Sequence, residues 1–116
     1  MVDYVELLIG EVLLGDVTNT YLYVGEDLEA QQIALGAFTR RVQEEGQQLT
    51  SVLTSVGKVV VNGTQRFMFV YKDKFECVTK GTSFNRIFVD VSDHTQCDHI
   101  KQFLLPSIVY HDGDFV

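Results

Sequence analysis

The chain contains no tryptophan, a single proline and only two cysteines, and its first 39 residues contain no lysine or arginine. Each scarcity narrows the field. One proline and the lack of any low-complexity run argue against a linker or tail. No internal repeat is visible, which removes solenoids and propellers. No stretch approaches the roughly 18 apolar residues of a membrane span. A secretory leader opens with basic residues and then runs through an unbroken apolar core; Asp3, Glu6 and Glu11 stand in those places here. Cys77 and Cys97, in a chain without such a leader, point to a reducing compartment, and their positions alone leave a disulfide between them open. The expected location is cytoplasmic, with no membrane partner. Asn62-Gly63-Thr64 matches a glycosylation acceptor, but without secretion it reads more simply as a turn.

What is present suits one folded domain of 116 residues. Hydrophobic residues make up 46% of the chain, including eight Phe and five Tyr. Disordered chains are poor in such residues. A chain of this size buries roughly 60–70% of its unfolded surface and needs neither disulfides nor a structural metal.

The formal charge is −7, unevenly spread. The first 39 residues carry seven acids: Asp3, Glu6, Glu11, Asp16, Glu26, Asp27 and Glu29. Lys58 to Arg86 carries six basic residues against Asp73 and Glu76, a local balance of +4. The net charge disfavours non-specific contact with nucleic acid or anionic membranes and favours a basic protein partner. The plainer account is that it keeps a small protein soluble.

Residues 3–14 admit two periods. Val5, Leu7 and Ile9 alternate as in a strand, while Val2, Val5, Ile9 and Val12 fit helical spacing. Gly10 costs a helix about 1 kcal/mol relative to Ala, and Val and Ile favour sheet; a strand is expected. Thr20 to Val24 reads as a second strand. Residues 28–45 predict a helix, capped by Asp27, with Leu28, Leu35, Phe38 and Val42 as its apolar stripe, Ala34 beside it, and Gly46 as its stop. Leu49, Val52, Leu53 and Val56 could prolong the stripe, but Gly46 and the β-branched residues favour a separate helical turn or extended segment.

Asn62-Gly63 between Val59-Val60-Val61 and Thr64-Gln65-Arg66-Phe67 is the strongest local signal. A type I′ hairpin turn needs φ > 0 at both central residues, which Asn and Gly tolerate best. Phe75 to Thr79 (FECVT) would return, and Arg86 to Val91 would close the set, so residues 58–91 predict a three- or four-strand antiparallel meander. Asp93 caps a last helix with His99, Ile100, Phe103 and Leu104 inward, ended by Pro106. Residues 107–116 read as an extended tail.

No G-x-S-x-G, H-E-x-x-H, P-loop or G-x-G-x-x-G pattern occurs. His94, Cys97 and His99 are possible zinc ligands. On a helix His94 and Cys97 share a face while His99 points away, and a fourth ligand from Cys77, His111 or Asp112 would still be needed. A cysteine nucleophile needs a base in reach, which Cys77 lacks in sequence and Cys97 has only as neighbouring histidines. Arg66, Lys72, Lys74, Lys80 and Arg86 interleave with Phe67, Phe69, Tyr71, Phe75 and Phe84, a pattern compatible with single-stranded nucleic acid. Yet the aromatics are needed for the core, and the −7 charge opposes phosphate. The carboxyl end, His111-Asp112-Gly113-Asp114-Phe115-Val116, could add to a partner's sheet edge or fold back on the domain.

The element order of strand, strand, long helix, three strands and helix resembles the roadblock/longin-type domains, small α+β dimerising scaffolds around GTPases and trafficking complexes. Val59-Val60-Val61-Asn62-Gly63 also looks like the inhibitory hairpin of cystatins, with Val59 where their Q-x-V-x-G pattern has glutamine and no Pro-Trp pair elsewhere. The expectation is therefore an α+β fold: a single antiparallel sheet of four to five strands, one long helix packed on it and a short C-terminal helix. The expected function is a non-catalytic protein-binding adaptor or inhibitor, without cofactor, acting through Glu26, Asp27 and Glu29, or through Asn62 and Gly63, or through an open sheet edge. A homodimer is compatible with this. The alternatives are a hairpin-wedge enzyme inhibitor, a metal-dependent or cysteine enzyme, and a single-stranded nucleic-acid binder.

Overall fold

The computed structural model describes residues 3–108 and 114–115. The chain opens with a helix, α1 (Tyr4–Leu14), where a strand was expected. Burial decides the matter. Leu8, Ile9 and Val12 are buried, while Leu7, which a strand would have turned inward with Val5 and Ile9, is 38% exposed. Asp3 caps the helix by accepting from the Glu6 amide at 3.2 Å. A Cβ at Gly10 would meet nothing within 4 Å, so the glycine occupies an open face.

There follow β1 (Thr20–Gly25) and α2 (Leu28–Glu44). Asp27 caps α2 through the Ala30 amide at 2.8 Å, and Gly46 at φ 73° turns the chain out of it. Ala34, Leu35, Phe38 and Val42 are buried as the stripe requires, but Leu28 is exposed and Gln31 is buried in its place. The next segment is extended, β2 (Leu49–Leu53), and pairs antiparallel with β3 (Lys58–Val61), which pairs antiparallel with β4 (Gln65–Tyr71). Asn62 at φ 53° and Gly63 at φ 80° form the anticipated turn.

Beyond Tyr71 the meander ends. Phe75 to Thr79 is a one-turn helix, α3, not a returning strand. A strand burying Phe75 and Thr79 would also bury Cys77, which is exposed, and the Thr79 hydroxyl donates to the Phe75 carbonyl at 2.7 Å, an i to i−4 bond. The chain then crosses β1, and β5 (Arg86–Val89) pairs with β1 in parallel. The sheet runs β2-β3-β4-β1-β5-β6, where β6 is Asp114–Phe115 alone. The fold is α+β, but the sheet is mixed rather than antiparallel: β1 lies parallel to both β4 and β5. α4 (His94–Leu104) follows, capped by Asp93, which accepts from the Thr95 and Gln96 amides. Ile100 and Leu104 point inward, whereas His99 and Phe103 are exposed. Leu105–Ser107, containing Pro106, forms a 3₁₀ turn that ends it. Of the expected tail, Ile108 bridges to Phe84 and Phe115 pairs with Ile87, so these positions join the chain's own sheet. His111, Asp112, Gly113 and Val116 lie outside the described residues.

The centre of the sheet is buried on both sides. On one face α1 and α2 cover Tyr21, Tyr23, Phe67, Phe69 and Phe88; on the other α3 and α4 cover Leu22, Val24, Met68, Ile87 and Val89. Two-sided burial is why β1 reads as a continuous apolar run instead of alternating with polar residues. Phe38 anchors the first core, its ring 4.6 Å from Phe67 and 5.4 Å from Phe69.

Candidate functional site

The amino-terminal acids are largely engaged within the chain. Glu6 pairs with Arg41 and Glu11 with Arg86. Asp3 and Asp27 cap helices, and Asp16 accepts from the amide and hydroxyl of Thr18. Glu26 accepts from the Ser92 hydroxyl at 3.0 Å and faces the Lys72 amine at 3.6 Å. Among the seven acids expected to face a partner, Glu29 alone has no hydrogen bond or ion pair among the described residues. Of the three acids singled out for binding, Asp27 and Glu26 therefore hold α2 and its approach, and Glu29 is free on the first turn of α2.

Asn62 and Gly63 are braced rather than projecting. The Asn62 carboxamide donates to Gln47 Oε1 at 2.9 Å and accepts from the Gln48 amide at 3.0 Å. The Gly63 amide donates to Thr50 Oγ1 at 2.7 Å. These bonds tie the β3–β4 turn to the start of β2, at the register shift between Leu49 and Ser51. A β-bulge there leaves Thr50 unpaired in the ladder, with its hydroxyl free to latch the turn.

Among the described residues β2 has a neighbour on one side only. Its sequence, Leu-Thr-Ser-Val-Leu, carries no charge and no proline, two of the usual devices that blunt an exposed edge. Val52 is 39% and Leu53 53% exposed, and Val56 in the following turn is 46% exposed. Beside that turn opens a shallow groove of about 260 Å³ lined by Leu28, Val56, Phe69, Tyr71 and Lys74. The turn is held by Gly57, at φ 69°, whose carbonyl accepts from the Phe69 amide at 2.7 Å. Sequence periodicity left Leu49, Val52, Leu53 and Val56 open between a further helical turn and an extended segment, and the structure takes the extended form over Leu49–Leu53. The informative signal was instead Gly57, a second turn glycine just before the Asn62-Gly63 hairpin.

The carboxyl ends of the parallel strands β4, β1 and β5 form a second polar locus, of the kind where open α/β sheets bind ligands. Lys72, after β4, donates to Gln96 Oε1 at 3.0 Å and pairs with Glu26 after β1. After β5, Asp90 accepts from the Tyr23 hydroxyl at 2.7 Å. Burial, then the hydrogen bond and charge of Asp90, raise the Tyr23 phenol well above its ordinary range. Burial likewise raises Tyr4, whose hydroxyl donates to the Val89 carbonyl. Apart from Glu26 Oε2, which is buried without a hydrogen-bond partner and faces only the Lys72 amine, these groups satisfy one another, an arrangement that fixes the loops relative to the strands.

The other sequence candidates are dispersed. His94 and His99 are exposed, and the Cys97 thiol donates to the Val91 carbonyl at 2.8 Å. Among the described residues no group of three or more His, Cys, Asp and Glu is placed to hold a metal, and Cys77 and Cys97 are both free thiols. Phe67, Phe69, Phe75 and Phe84 are buried, so these rings present no open face for a base to stack on. No helix of the described residues is long and apolar enough to cross a membrane. No protein-family model, curated protein or solved structure matches the chain.

Proposed function

We propose that the chain is a non-catalytic protein-binding module that takes up an extended segment of a partner along the free edge of β2. The observation that carries this is the edge itself: a strand without charge or proline whose own Val52 and Leu53 are exposed, followed by exposed Val56 and the Leu28 groove. An added strand would gain main-chain hydrogen bonds along β2, and alternate side chains would read the two faces. The acids weigh less in this reading than the edge does, because most of them already have intramolecular partners.

Peptide display against the chain tests it. The expected selection is short sequences with apolar residues at alternate positions. Binding of those peptides should weaken about tenfold or more when Val52→Lys and Leu53→Lys are combined, since charged side chains on an edge oppose pairing. Both residues are exposed, so circular dichroism and the unfolding midpoint should remain near those of the parent. Peptides that bind the double variant as tightly as the parent overturn the edge as the site. Dimers in sedimentation that dissociate on the same substitutions would assign the edge to a second copy of the chain.

A further inference from the structure

On the face of the sheet opposite α1 and α2, α4 packs against β1 and β5, and among the described residues no helix lies above β3 and the first half of β4. The register places Val60, Arg66 and Thr20 in one cross-strand row and Lys58, Met68 and Leu22 in the next. Paired residues share a face, and alternation puts both rows on this one. Lys58 and Arg66 are thus diagonal neighbours, at a spacing that long side chains bridge. The turn from Gly81 to Ser83 forms the wall of the resulting groove, whose volume is about 490 Å³.

The groove's composition is unlike that of the rest of the chain. Sixteen acids outnumber nine bases overall, yet the lining contains two bases and no acid, with the Thr20 and Thr82 hydroxyls beside Val60 and Met68. Arg40, Arg41, Lys72 and Arg86 are all ion-paired. Lys58 and Arg66 have no side-chain hydrogen bond or ion pair among the described residues. Two unneutralised cations, donor hydroxyls and an apolar strip match a ligand with a compact dianion on an apolar body. A phosphate monoester carries about −1.5 to −2 charge at neutral pH and offers the acceptor oxygens that a guanidinium fork engages in pairs.

We propose that Lys58 and Arg66 bind the phosphate of a small organic phosphate monoester in this groove, with its apolar body against Val60 and Met68. This site is separate from the β2 edge and stands or falls independently of it.

Phenyl phosphate is the probe, titrated at constant ionic strength and followed by amide chemical shifts. The expected result is saturable binding with shifts confined to residues 20–22, 58–60, 66–68 and 81–83, about tenfold tighter than for benzoate or inorganic phosphate. Arg66→Gln and Lys58→Gln should each weaken it by about tenfold, as loss of one charge-assisted contact predicts. Lys101→Gln, on α4, should leave it unchanged. Both tested side chains are exposed, and agreement between the two variants guards against a folding artefact in either. Shifts that never saturate, or equal affinity for benzoate, overturn the proposal. So does undiminished binding by both variants. Equal affinity for inorganic phosphate overturns the assignment to an ester, and tighter saturation of the same residues by oligothymidylate would make the occupant a nucleic-acid strand instead.

Discussion

Gly57→Ala should be far more damaging than Gly63→Ala, although both glycines sit in turns with φ near the left-handed region, 69° and 80°. A side chain in that region costs roughly 1–2 kcal/mol by backbone sterics alone. At Gly63 that is the whole effect, because a Cβ there meets nothing within 4 Å. At Gly57 the Cβ would collide with the Phe69 carbonyl oxygen and lie 3.1 Å from Gln31 Nε2. The Phe69 backbone belongs to β4, whose side chains form both cores, so it cannot yield without moving the centre of the sheet. The amide of the same Phe69 also donates to the Gly57 carbonyl at 2.7 Å. Relieving the collision would break that bond, and leaving buried backbone groups unpaired costs about 1–3 kcal/mol more. The total is about 2–5 kcal/mol, whose upper end is the size reserved for mutations with a specific steric or burial cause. Urea unfolding followed by far-ultraviolet circular dichroism measures it. With an m-value of about 1.5 kcal/mol/M, Gly57→Ala lowers the midpoint by about 1.3–3.3 M and Gly63→Ala by about 1 M. Midpoints for the two variants within about 0.3 M of each other would refute the claim that Gly57 is locked against β4.

Two further outcomes concern stability. Asp27→Ala should remove about 1 kcal/mol by uncapping α2, whereas Glu29→Ala, with no partner to lose, should stay within about 0.5 kcal/mol in the same urea assay; similar losses for both would mean that Asp27 acts through its charge and not its hydrogen bond to Ala30. Stability should also fall as pH rises above 10. Unfolded tyrosines ionise near that pH, while burial pushes Tyr21 up to about 12 and holds Tyr23 higher still. The unfolded chain therefore binds fewer protons across this interval, and stability drops with each increment of pH. Urea midpoints at pH 9, 10 and 11 report it, and Tyr23→Phe should flatten the decline; a midpoint that does not move between pH 9 and 11 would contradict it.

Much of the fold was legible because it was local. Asp27, the Leu35-Phe38-Val42 stripe and Gly46 mark α2 within a residue of its ends, since capping, periodicity and a left-handed stop act within a few residues of one another. Asn62-Gly63 likewise names its own turn. Asp93 and Pro106 bracket α4 for the same reason, though its inner face was read too widely: Phe103 lies at the margin against Phe75, and His99 faces outward. The candidate surface was less legible. An edge strand is defined by the neighbour it lacks, and β2's own residues fit a helical stripe equally well.

The pattern of residues by itself determined an α+β chain, its central helix, its tight hairpin and its last capped helix. Only the tertiary structure decided that residues 4–14 coil and that β1 slips between β4 and β5. It also made the Phe75 segment a helix and left Lys58 and Arg66 side by side on bare sheet. The reason is range: caps, turns and periodicity are satisfied by neighbours in sequence. Strand direction and burial, by contrast, depend on contacts such as Thr20 with Arg66 and Tyr21 with Arg86, made across many residues and visible only once the chain has closed on itself.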